Sequence, residues 1–403
     1  MELYHRCAET VSKFIKRPVV FVLGLTFLIR ILVLYLLDYQ TFSKDEAHWL
    51  KMGINFYEEG LLSESAGTFR PPLYPLLIAL CYNVFDGSEV FLRLIQIVLS
   101  TVTCWFLYEI AKSLKGVTAG IIAASIFSLY PLCVFFSVVL LAETLLLFCT
   151  GLIYWCLHRY CISPNYIWAT WIGVGVALGV LCKPVMLVWL PGLLAVVYHR
   201  CVNMDRFIHT AVILITLCAA IFPWTLRNVS LTGHVVPIST NTGINLLIGN
   251  EPGSTGYYRD GIDYWAMANR IADFEDDPIV RDTKIIRAVV EDIWLEPLWF
   301  VRMGIVKVLI LWNPLIEDGS WLERLVILIT SGPLLFVGML GVWKFRNFSP
   351  IWSTIVFILG LTIVHAIFFS HVRFRLPIDL VLIVPAACYL APFCKGYSRR
   401  DDS

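Results

Sequence analysis

A series of apolar runs close to twenty residues long, repeated almost from end to end, limits this chain more than any other feature. The first lies at 18–37. Others lie near 71–86, 90–111, 117–139, 140–157, 166–182, 185–198, 208–224, 299–315, 323–343, 351–370 and 376–394. A bilayer core of about 30 Å is crossed by about 20 helical residues. Runs of this length and number predict an all-α polytopic membrane protein with about 10–12 transmembrane helices. A mean hydropathy of +0.75, with 58% hydrophobic and 15% charged residues, excludes a soluble domain of 403 residues. A formal net charge of +1 gives no sign of nucleic-acid binding.

The first run follows Lys13, Lys16 and Arg17. It is too long for the apolar region of a signal peptide, carries Arg30, and ends in YLLDYQTF without a small-residue cleavage site. It reads as an uncleaved first span with a cytoplasmic N-terminus. Most of the twelve cysteines fall inside apolar runs, and neither CxxC nor HExxH occurs. The thiols read as small apolar side chains, and no disulfide framework is expected.

Two polar stretches interrupt the runs, at 38–70 and 225–298. The second is too long for a plain connection and should carry local structure. Within it, DDPIVRDTKIIRAVVEDIW has the spacing of an amphipathic helix, with Asp277 to cap it and Pro278 in its first turn. The acidic DFEDD before it reads as cap and solvated face rather than metal site. Short basic clusters favour the cytoplasm. They lie at Lys112 with Lys115, at Arg159, at Arg200 with Arg206, at Lys344 with Arg346, and at Lys395 with Arg399 and Arg400. Placing them all inside requires that 71–86, which begins RPPLYP, and 299–315, which carries Arg302 and Lys307, do not cross fully. Both polar stretches then lie outside, as interfacial loops of a single domain, 1–403. The outer face gathers Asp45, Glu46, Arg70, Glu143, Lys183, Arg227, Arg373 and Arg375.

Carboxylates beside basic groups at a lipid interface suit group transfer from a lipid phosphate. A carboxylate takes a proton from an acceptor hydroxyl, which is typically worth about 10²–10⁴ in rate. Basic side chains hold the phosphate and the charge that develops as it leaves. A phosphate leaving group needs no general acid.

SKDEAHWLKMG followed by FRPPLYPLL resembles the first outer loop of the GT-C membrane glycosyltransferases. The likeness is to bacterial relatives of protein O-mannosyltransferases and of lipid A aminoarabinose transferases. It continues, in order, through LLAETLLLF, GVLCKP, RNVSLTGHVVPISTNTGINLLIGNEP and VRFRLP. The resemblance implies a GT-C fold, a polyprenyl-phosphate sugar donor and an inverting displacement. It implies Asp45 as catalytic base and Glu46 as a neighbouring acid that helps hold sugar or acceptor. Arg70 matches a basic residue facing the lipid phosphate, Arg here where the aminoarabinose enzymes carry Lys. Glu143 matches an acid between two spans near the same site. Lys183, Arg373 and Arg375 join them as candidate substrate ligands. The sequence ends soon after its last apolar run, without the C-terminal domain of oligosaccharyltransferases or the inserted domain of eukaryotic mannosyltransferases. A lipid or glycan acceptor is therefore expected ahead of a protein. The expected setting is a bacterial inner membrane with the site on its periplasmic face.

Each of these residues also has a plain structural reading. Asp45 and Glu46 can cap an interfacial helix starting near Ser43. Arg70 can snorkel to headgroups, Lys183 can anchor a helix end, and Glu143 can form a structural ion pair. Arg30 is expected to pair with a buried acid or carbonyl, and His365 and His371 show no ligand spacing. No cofactor is expected; adjacent acids without a DxD pattern lean away from a metal, and a divalent ion stays open. The rival function is a transporter or flippase of polyprenyl-linked sugar, although no internal repeat of the kind transporters use is seen. A non-catalytic assembly scaffold would give Asp45, Arg70 and Glu143 no reason to converge.

Overall fold

Inside a bilayer every backbone polar group needs a partner within the protein, and helices supply it along their own length. A computed structural model describes residues 18–37, 44–63, 67–201, 204–259, 261–315, 320–346 and 349–395. The basic residues Lys13, Lys16, Arg17, Arg399 and Arg400, and the start of the first polar stretch with Ser43, lie outside the described residues. Among the described residues all regular structure is helical. The chain runs through α1 (Pro18–Leu36), α2 (Lys44–Glu58), α3 (Leu73–Val84), α4 (Glu89–Lys115), α5 (Val117–Leu129), α6 (Pro131–Phe136), α7 (Glu143–Ile162) and α8 (Tyr166–Cys182). It continues through α9 (Leu190–Arg200), α10 (Asp205–Thr232), α11 (Thr242–Asn250), α12 (Tyr264–Ile271), α13 (Pro278–Leu295), α14 (Pro297–Trp312), α15 (Trp321–Lys344), α16 (Ser349–Ile367) and α17 (Leu376–Lys395). Short 3-10 turns at Pro184–Trp189 and Val372–Arg375 lead into α9 and α17.

Seven helices are long and apolar enough to cross a membrane: α1, α4, α7, α10, α15, α16 and α17. Four shorter apolar helices fill out the bundle, at Leu73–Val84, Val117–Leu129, Tyr166–Cys182 and Pro184–Arg200. Prolines account for much of the shortening. Pro131 follows the end of α5, and Pro184 lies between α8 and α9. At about 1.5 Å per residue, the twelve residues of α3 reach only about 18 Å. That is shorter than a bilayer core of about 30 Å. The amphipathic helix of the second polar stretch forms as α13, with the Asp277 carboxylate accepting from the N–H groups of Ile279 and Val280.

The apolar run 117–139 is one segment in the sequence and three in the structure. After α5 and the six-residue α6, residues 137–142 form an irregular, buried link into α7. Non-helical backbone at this depth is tolerated only where side chains satisfy it. Gln96 donates to the Val139 carbonyl at 2.8 Å and Arg93 to that of Val138 at 3.1 Å, while Glu46 accepts from Leu140 N–H at 2.9 Å. Arg30 follows the same logic in α1. It donates to Ser100 Oγ at 2.8 Å and to the Thr26 carbonyl at 3.1 Å, and it stays inside the protein.

The main core lies among α4, α5, α7, α8 and α17. Close approach of α15 to α17 depends on Gly341, where a Cβ would overlap the Pro385 carbonyl. A smaller core under α11, α12 and α13 carries the second polar stretch. It is seated on the bundle through Gly249, where a Cβ would overlap the Phe368 carbonyl.

Candidate functional site

The acids and bases singled out from the sequence come from five separate places in the chain, and most of them meet. Asp45 stands in the first turn of α2. Its Oδ1 accepts from Arg70 at 2.7 Å and its Oδ2 from Arg373 at 3.0 Å. Arg70 lies in a bend just ahead of Pro71, and Pro72 already has helical backbone angles at the start of α3. Its guanidinium lies over the ring of Trp49, 4.3 Å from the centroid, and Trp49 is buried edge-on against Tyr74. Glu143 opens α7 and accepts from Lys183 Nζ at 2.8 Å. Arg373 Nε lies 3.9 Å from the same Glu143 oxygen, so this one guanidinium faces both acids. Asp45, Arg70, Glu143, Lys183 and Arg373 therefore form one charged cluster.

Burial raises the Asp45 carboxyl, but the Arg373 and Arg70 charges, with the hydrogen bonds they donate, outweigh burial and hold it at about 2. Arg70 Nε and Arg373 Nε are buried donors without a hydrogen-bond partner. The cluster lines a cavity of about 590 Å³, a size typical of small-molecule sites. An apolar side of this cavity comes from residues such as Leu146, Val188, Leu361 and Phe368. Phe374 also lines it. Its ring stacks on His365 at 4.9 Å, with Lys183 Nζ 5.4 Å and Arg373 5.2 Å from its centroid.

Two of the expected substrate ligands do not line this cavity. Glu46 is fully buried and holds Leu140 N–H, tying α2 to the link that launches Glu143. Arg375 is fully buried as well. It pairs with Asp379 at 2.9 Å and donates to the carbonyls of Leu311 and Asn313, the latter at 2.5 Å. Asp379 in turn accepts from Tyr130 at 2.7 Å. This lock fixes the turn that carries Arg373, so Arg373 and Arg375 part company: one faces the cavity and the other braces it. Arg227 likewise braces, donating to the carbonyls of Leu61 and Gly67 at 2.7 Å each.

Trp49, Phe374 and the Arg375–Asp379 pair escaped the sequence reading. The pair did leave a signal, since opposite charges four residues apart in a helical segment face each other. Trp49 stands four residues after Asp45 on the same face, and Phe374 lies between the two arginines that drew attention. Among the described residues no group of three or more His, Cys, Asp or Glu side chains is placed to hold a metal ion. Both cavity carboxylates are already bonded by cations.

The family profile of the dolichyl-phosphate-mannose-protein mannosyltransferases matches residues 69–224. No curated protein sequence matches the chain. Among solved structures, the oligosaccharyltransferase of Archaeoglobus fulgidus in its apo form superposes with a TM-score of 0.60 at 15% identity, over 95% of this chain and 51% of that one. The same archaeal enzyme, AglB, in complex with an inhibitory peptide and a dolichol-phosphate, gives a TM-score of 0.58 at 14% identity, over 96% of this chain and 52% of that one. The ArnT of Cupriavidus metallidurans bound to undecaprenyl phosphate aligns more loosely, at 13% identity and a TM-score of 0.43, over 96% of this chain and 79% of that one. The chain spans about half the length of the archaeal enzyme. Its helices follow the same path, and it is a polytopic membrane protein with the GT-C fold.

Proposed function

We propose that the chain is a membrane glycosyltransferase. It moves a sugar from a polyprenyl-phosphate donor to a hydroxyl of a lipid, glycan or protein acceptor, with inversion, at the extracytoplasmic face of a bacterial plasma membrane. The observation that carries this reading is the cluster of three cations around two carboxylates in the lining of a cavity that is otherwise largely apolar. Three positive and two negative groups leave a formal excess of one positive charge, and two buried guanidinium N–H groups lack partners. A lipid phosphate supplies the missing anion and a tail for the apolar side. The profile match and the archaeal enzyme described with dolichol-phosphate support the same donor class.

In this reading Asp45 takes the proton of the acceptor hydroxyl. The acceptor oxygen attacks the anomeric carbon from the face opposite the phosphate. The carbon–oxygen bond to phosphate breaks, and its electron pair leaves on the polyprenyl phosphate. Arg70, Arg373 and Lys183 hold that charge, each such stabiliser being worth on the order of 10²–10³ in rate. A carboxylate held at about 2 is a poor base. The donor phosphate competes for the same guanidiniums, and as they turn to it Asp45 regains basicity. Glu143 keeps Lys183 and Arg373 within reach of the phosphate throughout.

The test uses purified protein in vesicles with a labelled polyprenyl-phosphate sugar. Label should pass to an acceptor fraction, and Asp45→Asn should cut that transfer by about 10²-fold or more. Label that crosses the bilayer with its sugar–phosphate bond intact, or near-normal transfer by the variant, sinks the proposal.

A further inference from the structure

Besides the charged cluster and the apolar residues, the cavity lining includes four neutral polar side chains. They are Ser239, Asn241, Thr242 and Asn245, from the entry to α11 and its first turns. We propose that this neutral polar wall is the subsite for the donor's sugar and determines which sugar is transferred. The inference rests on the glycosyltransferase reading and deepens it.

Chemistry is the first support. Hydroxyl and carboxamide groups both donate and accept hydrogen bonds, as sugar hydroxyls do, and carry no charge. None of the wall's four side chains is charged, the Asp282 carboxylate behind them accepts from backbone N–H of α11, and the charged groups of the cavity are paired with one another. A neutral sugar is the class it fits.

Unused bonding capacity is the second. Asn241 occupies the position before α11 where asparagine commonly caps a helix, yet its side chain makes no capping hydrogen bond. It accepts instead from Ser239 Oγ at 3.1 Å, which leaves its amide donors free. Thr242 is exposed and Asn245 half-buried, and among the described residues neither side chain is bonded within the protein. Half-buried and exposed polar side chains that line a cavity can exchange bound water for the hydroxyls of a ligand.

Rigid placement is the third. Thr240 N–H donates to the Thr68 carbonyl at 2.9 Å, and the two threonine hydroxyls meet at 3.2 Å. Thr68 stands two residues before Arg70, so the wall is fixed directly to the arm that reaches Asp45. Trp224 Nε1 donates to the Ile238 carbonyl at 2.8 Å, and Gly243 N–H donates to Asp282 at 2.6 Å. Asp282 thereby takes an N–H of the first turn of α11, and the wall works through its side chains. Specific recognition needs a first contact layer held by a second one, and both are present.

The experiment compares two kinds of probe on the full chain in detergent. One is bare undecaprenyl phosphate. The other is undecaprenyl phosphate carrying a neutral hexose or pentose, an amino sugar or a uronic acid. The wild-type protein should bind one of the neutral-sugar donors about tenfold or more tighter than bare lipid. Asn245→Ala and Asn241→Ala should each remove about tenfold of that advantage, the scale of one lost hydrogen-bonding group. Both should leave affinity for bare undecaprenyl phosphate within about twofold, which also shows that they are folded. Asn245→Asp should move preference toward the amino-sugar donor. Equal loss for bare and glycosylated lipid, an unchanged ratio between them, or a wild-type preference for a charged sugar overturns the sugar wall and leaves the phosphate site standing. Failure of the wild-type protein to bind bare undecaprenyl phosphate overturns the lipid-phosphate reading and the sugar wall together.

Discussion

Asp45 carries a guanidinium on each of its oxygens, and its pH behaviour follows from that. Its folded value of about 2 lies below the ordinary carboxylate range near 4. The depressed value means that the ion pairs stabilise the fold fully above about pH 4 and are lost as pH falls toward 2. His48, Glu46 and Lys51 share its helix, while Arg70, Arg373, Glu143 and Lys183 reach the cluster from four other places. In the proposed reaction the donor draws Arg70 and Arg373 away, so the acid limb of kcat should lie at higher pH than the acid limb of kcat/KM for donor. Coincident limbs would mean that the arginines never leave Asp45. Arg70 itself separates charge from geometry. Arg70→Ala should weaken donor binding and slow transfer, by about 10²-fold for the lost charge. Lys should restore part of both, because it keeps the charge and loses the two-pronged contact. Unchanged donor affinity in the Ala variant would leave Arg70 as a headgroup anchor.

At the scale of elements, the segment that matters most is the link at 137–142, because α7 and Glu143 start from it. The sequence disguises it as apolar run. Nothing in LCVFFSVVLLAE distinguishes a helix from an irregular buried strand of backbone, since both must be apolar. What makes the irregular path possible lies elsewhere, in Gln96, Arg93 and Glu46. The acids and bases of the site were legible because charge is costly in a membrane and stands out against it. Their division into cavity residues and braces was not, since Glu46 beside Asp45 and Arg375 beside Arg373 differ only in where the backbone turns them. α13 was legible from its period and its Asp277–Pro278 start, which are local. Glu46 makes the division testable. Glu46→Ala leaves a buried N–H without its acceptor, a loss of about 1–3 kcal/mol, and should lower the thermal midpoint in detergent. Glu46→Gln keeps an acceptor oxygen and should retain most of the stability and activity. An Ala variant as stable as the parent but poor in donor binding would instead make Glu46 a substrate contact.

For the whole molecule, the expected orientation in the membrane rests on the inside-positive bias, and one basic cluster runs against it. Arg373 and Arg375 lie between α16 and α17, opposite to where the inside-positive bias places basic clusters if Lys344 with Arg346 faces the cytoplasm. The sequence suggests that a lipid phosphate neutralises them. The structure supplies acids: Asp45 and Glu143 for Arg373, and Asp379 for Arg375. These pairs explain how two arginines are held on that side, while the more numerous clusters elsewhere set the expected orientation. The second polar stretch, which bears the neutral wall, should then face outward, and the turn between α7 and α8 inward. Ser370 is a poor reporter because it is fully buried, with its N–H bonded to the Gly256 carbonyl. Val235, at 77% exposure, and Ser163, also exposed, are better. With Cys7, Cys161, Cys218 and Cys394 replaced by Ser, only buried thiols remain. In that background Val235→Cys should react with a membrane-impermeant thiol reagent in intact cells. Ser163→Cys should react only after the cytoplasmic face is opened. The reverse pattern inverts the protein and moves the cavity to the cytoplasmic side. Labelling of both in intact cells places the two turns on one face, which removes the charge-based topology altogether.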